Sequence, residues 1–295
     1  MSQGDEHYMP SVKIQDEKPI PELPRLHHND FKNVAPFIAF DLEISNPLPD
    51  EDDKWSGKPF GISCIGTYIY PENTYVLWTT EQEDPTDPAS LYGERMTPQA
   101  VHDFIGWLAG YEQHSIVGWN SMGFDFRVIA RECTSPTAIG MVQKMAMRHI
   151  DPAYQMLCEK GFMTGLEPSN KGMGGKGKAE NVHGVDAPAM WTSGDPTQQR
   201  AVLHYVQIDA FITGQTYASI VKNRELRWQT RRGTIGKQAM KYVIDLFGNN
   251  RLMTIEEANS IKLPDASWMD TPMARESCYV WATEALTLHG NSGTI

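Results

Sequence analysis

The first strongly apolar stretch, Pro36-Phe37-Ile38-Ala39-Phe40-Asp41-Leu42-Glu43-Ile44, runs through uncharged residues and then sets two carboxylates two positions apart. In a strand, side chains alternate with a period of two, so Asp41 and Glu43 leave one face while Leu42 points to the other. Two more β-rich runs, 60–70 and 75–78, flank Pro71-Glu72-Asn73-Thr74, which reads as a hairpin turn. Three consecutive antiparallel strands are predicted. The pattern then becomes helical. Thr97-Pro98 supplies an N-cap followed by proline at the first helical position, and Val101, Phe104, Ile105 and Leu108 recur at helical spacing. Residues 115–119 read as a short buried strand and 124–133 as a helix. Ser135-Pro136, Asp151-Pro152 and Asp195-Pro196 repeat the cap-plus-proline signal, the last opening a helix to about Asn223. Beyond Trp228 the pattern gives a turn at Arg232-Gly233, a short helix near 255–260 and a last helix after Thr271-Pro272. This order predicts an α/β fold, a mixed sheet with helices on its faces.

Between the elements, residues 46–58 and 81–95 read as loops. Residues 161–188, rich in Gly and Lys, read as a connection too long to be passive. Residues 1–34, without periodicity, read as a disordered or draped N-terminal arm. The 295 residues, 40% hydrophobic, suffice for one large domain with appendages. No run of about 18 apolar residues marks a membrane span. The cysteines, Cys64, Cys133, Cys158 and Cys278, are scattered without Cys-x-x-Cys spacing, which points away from zinc and disulfides and toward a cytoplasmic location. The net charge of −11 argues against a coat-like nucleic-acid binder. It leaves room for local basic surface, and Lys222, Arg224, Arg227, Arg231, Arg232, Lys237 and Lys241 stand against only Glu225 between 222 and 241. A solvated charged face accounts for that run equally well.

Asp41 and Glu43, about 7 Å apart at the end of a buried strand, repel each other, and burial penalises both unless a positive charge intervenes. Mg²⁺ or Mn²⁺, with their preference for hard oxygen ligands, would relieve this. A solvated turn is the simpler account of the pair on its own. Three further stretches bear on it. Val117-Gly118-Trp119-Asn120-Ser121-Met122-Gly123-Phe124-Asp125 ends a strand in a flexible turn and delivers Asp125 to the first turn of a helix, where it either serves a site or caps the helix. In the long helix, Tyr205 and Asp209, four apart, share a face, and an Asp among Val202, Val206 and Phe211 is costly without a partner. The glycine-rich 161–188 stretch offers Lys176 and Lys178 to phosphates, or is simply a surface loop.

In order, Asp41-x-Glu43, Asn120-x-x-x-Phe124-Asp125 and Tyr205-x-x-x-Asp209 resemble the three motifs of the DEDD superfamily of 3′–5′ exonucleases. The resemblance covers about residues 35–225 and is nearest to proteins related to the exonuclease domain of family B DNA polymerases. It implies an RNase H-like fold with a mixed five-stranded sheet, three antiparallel strands then parallel ones, and a C-terminal extension over 226–295 packed on the nuclease domain. It also implies two Mg²⁺ or Mn²⁺ ions held by Asp41, Glu43, Asp125 and Asp209, with Tyr205 orienting the attacking water. Asn120, Phe124, Lys176 and Lys178 are the candidate substrate contacts. The substrate would be the 3′ end of single-stranded nucleic acid, DNA before RNA, released as nucleoside 5′-monophosphates, with no membrane partner.

His204-Tyr205-Val206-Gln207-Ile208-Asp209 satisfies both the Tyr-x-x-x-Asp and the His-x-x-x-x-Asp subgroup patterns. At about 100° per residue, Tyr205 lies about 40° from Asp209 and His204 about 140°. Tyr205 is therefore the expected participant. An oligoribonuclease- or RNase D-like RNA exonuclease, a structure-specific endonuclease, and a silent nucleic-acid-binding module are the competing readings. A homodimer contact and a recruiting protein are the partners left open for the C-terminal extension.

Overall fold

The computed structural model describes residues 23–49, 55, 57–84, 86–87, 89–177 and 182–283. Its elements are β1 (Phe37–Ile44), β2 (Ile62–Tyr70), β3 (Thr74–Thr79), α1 (Pro98–Ala109), β4 (Ser115–Val117), α2 (Asp125–Glu132), α3 (Pro136–Arg148), α4 (Pro152–Lys160), α5 (Leu166–Gly172), α6 (Ala187–Trp191) and α7 (Pro196–Asn223). They continue as β5 (Glu225–Gln229), β6 (Ile235–Ala239), β7 (Tyr242–Ile244), β8 (Asn250–Leu252), α8 (Ile255–Ala258) and α9 (Glu276–Thr283).

The central sheet has the order β3-β2-β1-β4, with β1 antiparallel to β2, β2 antiparallel to β3, and β4 parallel to β1. The apolar alternation of β1 decides its two faces. Ile38, Phe40, Leu42 and Ile44 join one core with the apolar stripes of α1, α2 and α3, whereas Phe37 and Ala39 join a second core with α7. Each large side chain buried this way contributes roughly 1.5–3 kcal/mol. The proline-led caps form as the residues dictate: Thr97, Ser135, Asp151 and Asp195 each accept a backbone N–H at the start of α1, α3, α4 and α7.

Among the described residues the sheet has four strands, which corrects the five expected. After α3 the chain returns to β4 and pairs once, through a parallel bridge between Val117 and Ile150. Asp151-Pro152 then turns it into α4, because proline lacks a donor and fixes a helical φ. The 161–188 stretch also differs from an uninterrupted loop. It contains α5, and α6 begins within it.

Gly233, at φ +77°, turns the chain between β5 and β6. From α9, Cys278, Trp281 and Ala282 enter the same core as α3. Trp268 is 66% exposed, its ring edge-on to Phe162 at 6.1 Å. At the other end, Leu26 is buried and its N–H donates to the Tyr68 hydroxyl at 3.2 Å. Residues 1–22 of the N-terminal arm lie outside the described residues, as do 284–295. Among the described residues, no helix is long and apolar enough to cross a membrane. All four cysteines are free and buried.

Candidate metal centre

At the C-terminal end of β1, Asp41, Glu43 and Asp209 each offer a carboxylate oxygen within 4.8 Å of the others. Glu43 and Asp209 are buried and Asp41 is partly exposed. Strand alternation supplies the first two. The register breaks beside them: Glu43 pairs with Cys64 but Ile44 with Ile62, leaving Ser63 as an extra residue in β2. This bulge is locked by the Ser63 hydroxyl, which donates to the Glu43 carbonyl at 3.0 Å. Bulges of this kind re-aim a side chain at the end of a ladder.

Asp209 arrives from α7, and a glycine lets it come close. Gly66 is the cross-strand partner of Asp41, and a Cβ there would lie 2.6 Å from the Val206 carbonyl oxygen. Nearer the start of β1, a Cβ on Gly214 would lie 2.8 Å from the Phe37 ring. Missing side chains on both surfaces thus seat α7 directly on the sheet, with Asp209 beside the two strand carboxylates.

The electrostatics of the cluster are costly. At an effective dielectric near 20, two unit charges about 5 Å apart repel by roughly 3 kcal/mol. The buried Cys64 thiol registers the same field. Its pKa is pushed well up, by burial first, then by Glu43 and Asp41. Three hard-oxygen donors crowded in a half-dry corner are the donor chemistry that suits a divalent cation, so the residues fit such an ion.

Asp125 stands outside this group of three. It is buried in the first turn of α2, at the end of the 118–124 turn that leaves β4. That turn is held from several sides. Asn120 takes φ +57°, and its backbone N–H and that of Met122 donate to the Asp151 carboxylate at 2.9 and 3.1 Å. Asp151 also caps α4 through the N–H groups of Ala153 and Tyr154. Burial pushes the Asp151 carboxyl up to about 6 while its four N–H donors pull it back down. The Ser121 hydroxyl pairs with His149 Nε2 at 2.8 Å, and His149 Nδ1 lies against the Ala146 carbonyl. Burial lowers the His149 pKa to about 3, so the ring is neutral, with its proton on Nδ1 and Nε2 accepting from Ser121. Finally, the Trp281 indole N–H donates to the Met122 carbonyl at 2.9 Å.

Tyr205 is 2% exposed, and its hydroxyl lies 3.6 Å from the position a Cβ would take on Gly184. His204 is partly exposed, its Nδ1 makes no hydrogen bond among the described residues, and burial lowers its pKa. Asn120 is exposed at the turn, and Phe124 lies edge-on to Trp55 at 6.0 Å. The Arg127 guanidinium sits 4.1 Å from the Trp55 ring centre. Lys176 is exposed, and Lys178 lies outside the described residues. Asp151, His149, Gly66 and Trp55 are the supports that sequence did not single out. Asp151 was legible only as the cap of a helix.

What fold and cluster define is an α/β domain with an acidic group able to hold a metal ion. No protein-family model matches the chain. Part of it is similar to the DNA polymerase of Red sea bream iridovirus, 25% identical over an alignment of 123 residues that covers 39% of this chain and 12% of that protein. The chain thus spans a small part of that relative, and the similarity is distant.

Proposed function

We propose that the chain is a metal-dependent 3′–5′ exonuclease that removes nucleoside 5′-monophosphates from single-stranded nucleic acid, DNA in preference to RNA. The observation that carries this is the meeting of Asp41, Glu43 and Asp209 at the end of β1. The distant similarity to a DNA polymerase supports the preference for DNA. Asp41, Glu43 and Asp209 would hold Mg²⁺ or Mn²⁺, and Asp125 would help to hold a second ion. Bound there, the ions supply a lowered pKa for water and charge stabilisation at the leaving 3′ oxygen. The Tyr205 hydroxyl orients the attacking water with the help of Glu43. The water oxygen bonds to phosphorus as the bond from phosphorus to the 3′ oxygen breaks, leaving a 3′ hydroxyl and a 5′-monophosphate. Phe124 offers a face for the terminal base, and Asn120 a polar contact beside it.

The test is hydrolysis of 5′-labelled single-stranded DNA and RNA of equal sequence, with circular DNA as control, in Mg²⁺, Mn²⁺ or EDTA. Stepwise shortening from the 3′ end is expected, fastest on DNA, absent in EDTA and absent on circles. Asp41→Asn should slow it by about 10³-fold while leaving the melting temperature in EDTA unchanged or higher, since it removes a like charge. Cleavage of circles would make the protein an endonuclease, and no cleavage with Mn²⁺ would leave it a binding module.

A further inference from the structure

Seven cations of residues 222–241, Lys222, Arg224, Arg227, Arg231, Arg232, Lys237 and Lys241, are all exposed in a chain of net charge −11. They lie on the β5–β6 hairpin and its two flanks. Glu225 is the lone carboxylate of the segment, and it pairs with Arg227 at 2.6 Å. Arg224 stacks over the Tyr242 ring at 4.2 Å and Lys222 over Phe31 at 5.2 Å, contacts that leave their charges intact. Among the described residues, Arg231, Arg232, Lys237 and Lys241 make no ion pair. The register makes this arrangement costly, because Arg227 and Lys237 stand directly opposite each other across the ribbon.

The hairpin is also firmly mounted. Its other face carries Leu226, fully buried, and Trp228, whose ring covers Gly236 and meets Phe162 edge-on at 5.8 Å. Gly172 of α5 lies against the backbone of Arg227 and Trp228, where a Cβ would come within 2.5 Å. The cations are therefore displayed on a stiff ribbon, so less conformational freedom is lost when they meet a ligand.

We propose that this hairpin is a second, remote contact surface for the phosphate backbone of a nucleic-acid strand. The proposal rests on the nuclease reading for the identity of the partner, and not for the chemistry. The hairpin follows α7 directly, and at 1.5 Å per residue its start lies about 22 Å along the helix from Asp209. That span equals about six phosphates of a strand stacked at 3.4 Å. A trinucleotide reaches only the metal centre, whereas a strand of about twenty nucleotides reaches both.

The test uses the full-length chain carrying Arg231→Glu, Arg232→Glu and Lys237→Glu, with circular dichroism and tryptophan fluorescence to verify the fold. Binding of a fluorescent 20-nucleotide single strand is followed by anisotropy in EDTA at 50–200 mM salt. Affinity at low salt should fall at least about tenfold, and the slope of log K against log salt should become shallower by about 2. Turnover of a trinucleotide with Mn²⁺ should stay unchanged while turnover of the 20-mer falls. If the triple variant fails to fold, Arg231→Gln with Arg232→Gln at the exposed turn takes its place, with a smaller loss expected. Equal binding and slope in a folded variant would overturn the proposal. Hairpin-dependent binding without any cleavage would uphold it while refuting the nuclease, and cleavage indifferent to the hairpin at both lengths would do the reverse.

Discussion

Tyr205 and His204 are neighbours in sequence, yet the helix gives them different surroundings. Tyr205 is sealed and lies on the face of Asp209, whereas His204 keeps partial exposure and a ring nitrogen without a hydrogen bond among the described residues. Tyr205→Phe removes one hydroxyl without changing the packing, and should lower kcat for single-stranded DNA by about 10²-fold with little change in melting temperature. His204→Ala should leave kcat near wild type. The reverse outcome would assign the orienting role to His204 instead of Tyr205. At this scale the acids were readable from local rules: a period of two aligns Asp41 with Glu43, and helical spacing aligns Tyr205 with Asp209. The supports were not, because they are tertiary. Nothing near Asp151 in sequence says that its carboxylate reaches back to Asn120 and Met122, and nothing near Gly66 says that a helix will lie on it.

Seating α7 on the sheet is the event that completes the acidic group, and glycine controls it. Gly66→Ala puts a methyl group 2.6 Å from the Val206 carbonyl oxygen, so helix and strand must part. A loss of roughly 1–3 kcal/mol in urea melts is expected, together with weaker Mn²⁺ protection against thermal unfolding. Gly106→Ala, in α1 with open space around the new methyl group, should instead stabilise by about 0.5–1 kcal/mol and leave activity alone. Most elements were visible in their patterns, capped helices above all. Leu166–Gly172 was not, since proline, serine, asparagine and glycine make a poor helix. It is held from outside, by Asn170 donating to Gln215 and Thr216 of α7. The fifth strand failed for the opposite reason: Ile150 is followed too soon by a helix-starting Asp-Pro.

Three strongly shifted groups contribute to the response of the whole molecule to acid. His149 has its pKa lowered from 6.5 to about 3, so between those values the unfolded chain binds a proton that the folded chain refuses. Stability therefore falls as pH drops through that window, by up to about 1.4 kcal/mol per pH unit. Asp151, raised from 3.8 to about 6, acts in the opposite direction within its own window, the folded chain holding the extra proton. Glu257, lowered from 4.5 to about 2 chiefly by its hydrogen bonds with Arg251, loses its contribution as pH falls below 4.5. From these three contributions the expected melting temperature in EDTA is nearly level from pH 6 to 4.5 and falls below about pH 4. A steady decline from pH 7 would mean that Asp151 is ionised throughout. One contact also bears on the order in which the protein is made. The Met122 carbonyl, in the turn that leads to Asp125, receives its hydrogen bond from an indole 159 residues later. Closing so long a loop is slow and is rewarded only at the end. A nascent chain can thus build its sheet early, while the turn bearing Asp125 reaches its final form only when the helix carrying Trp281 has docked.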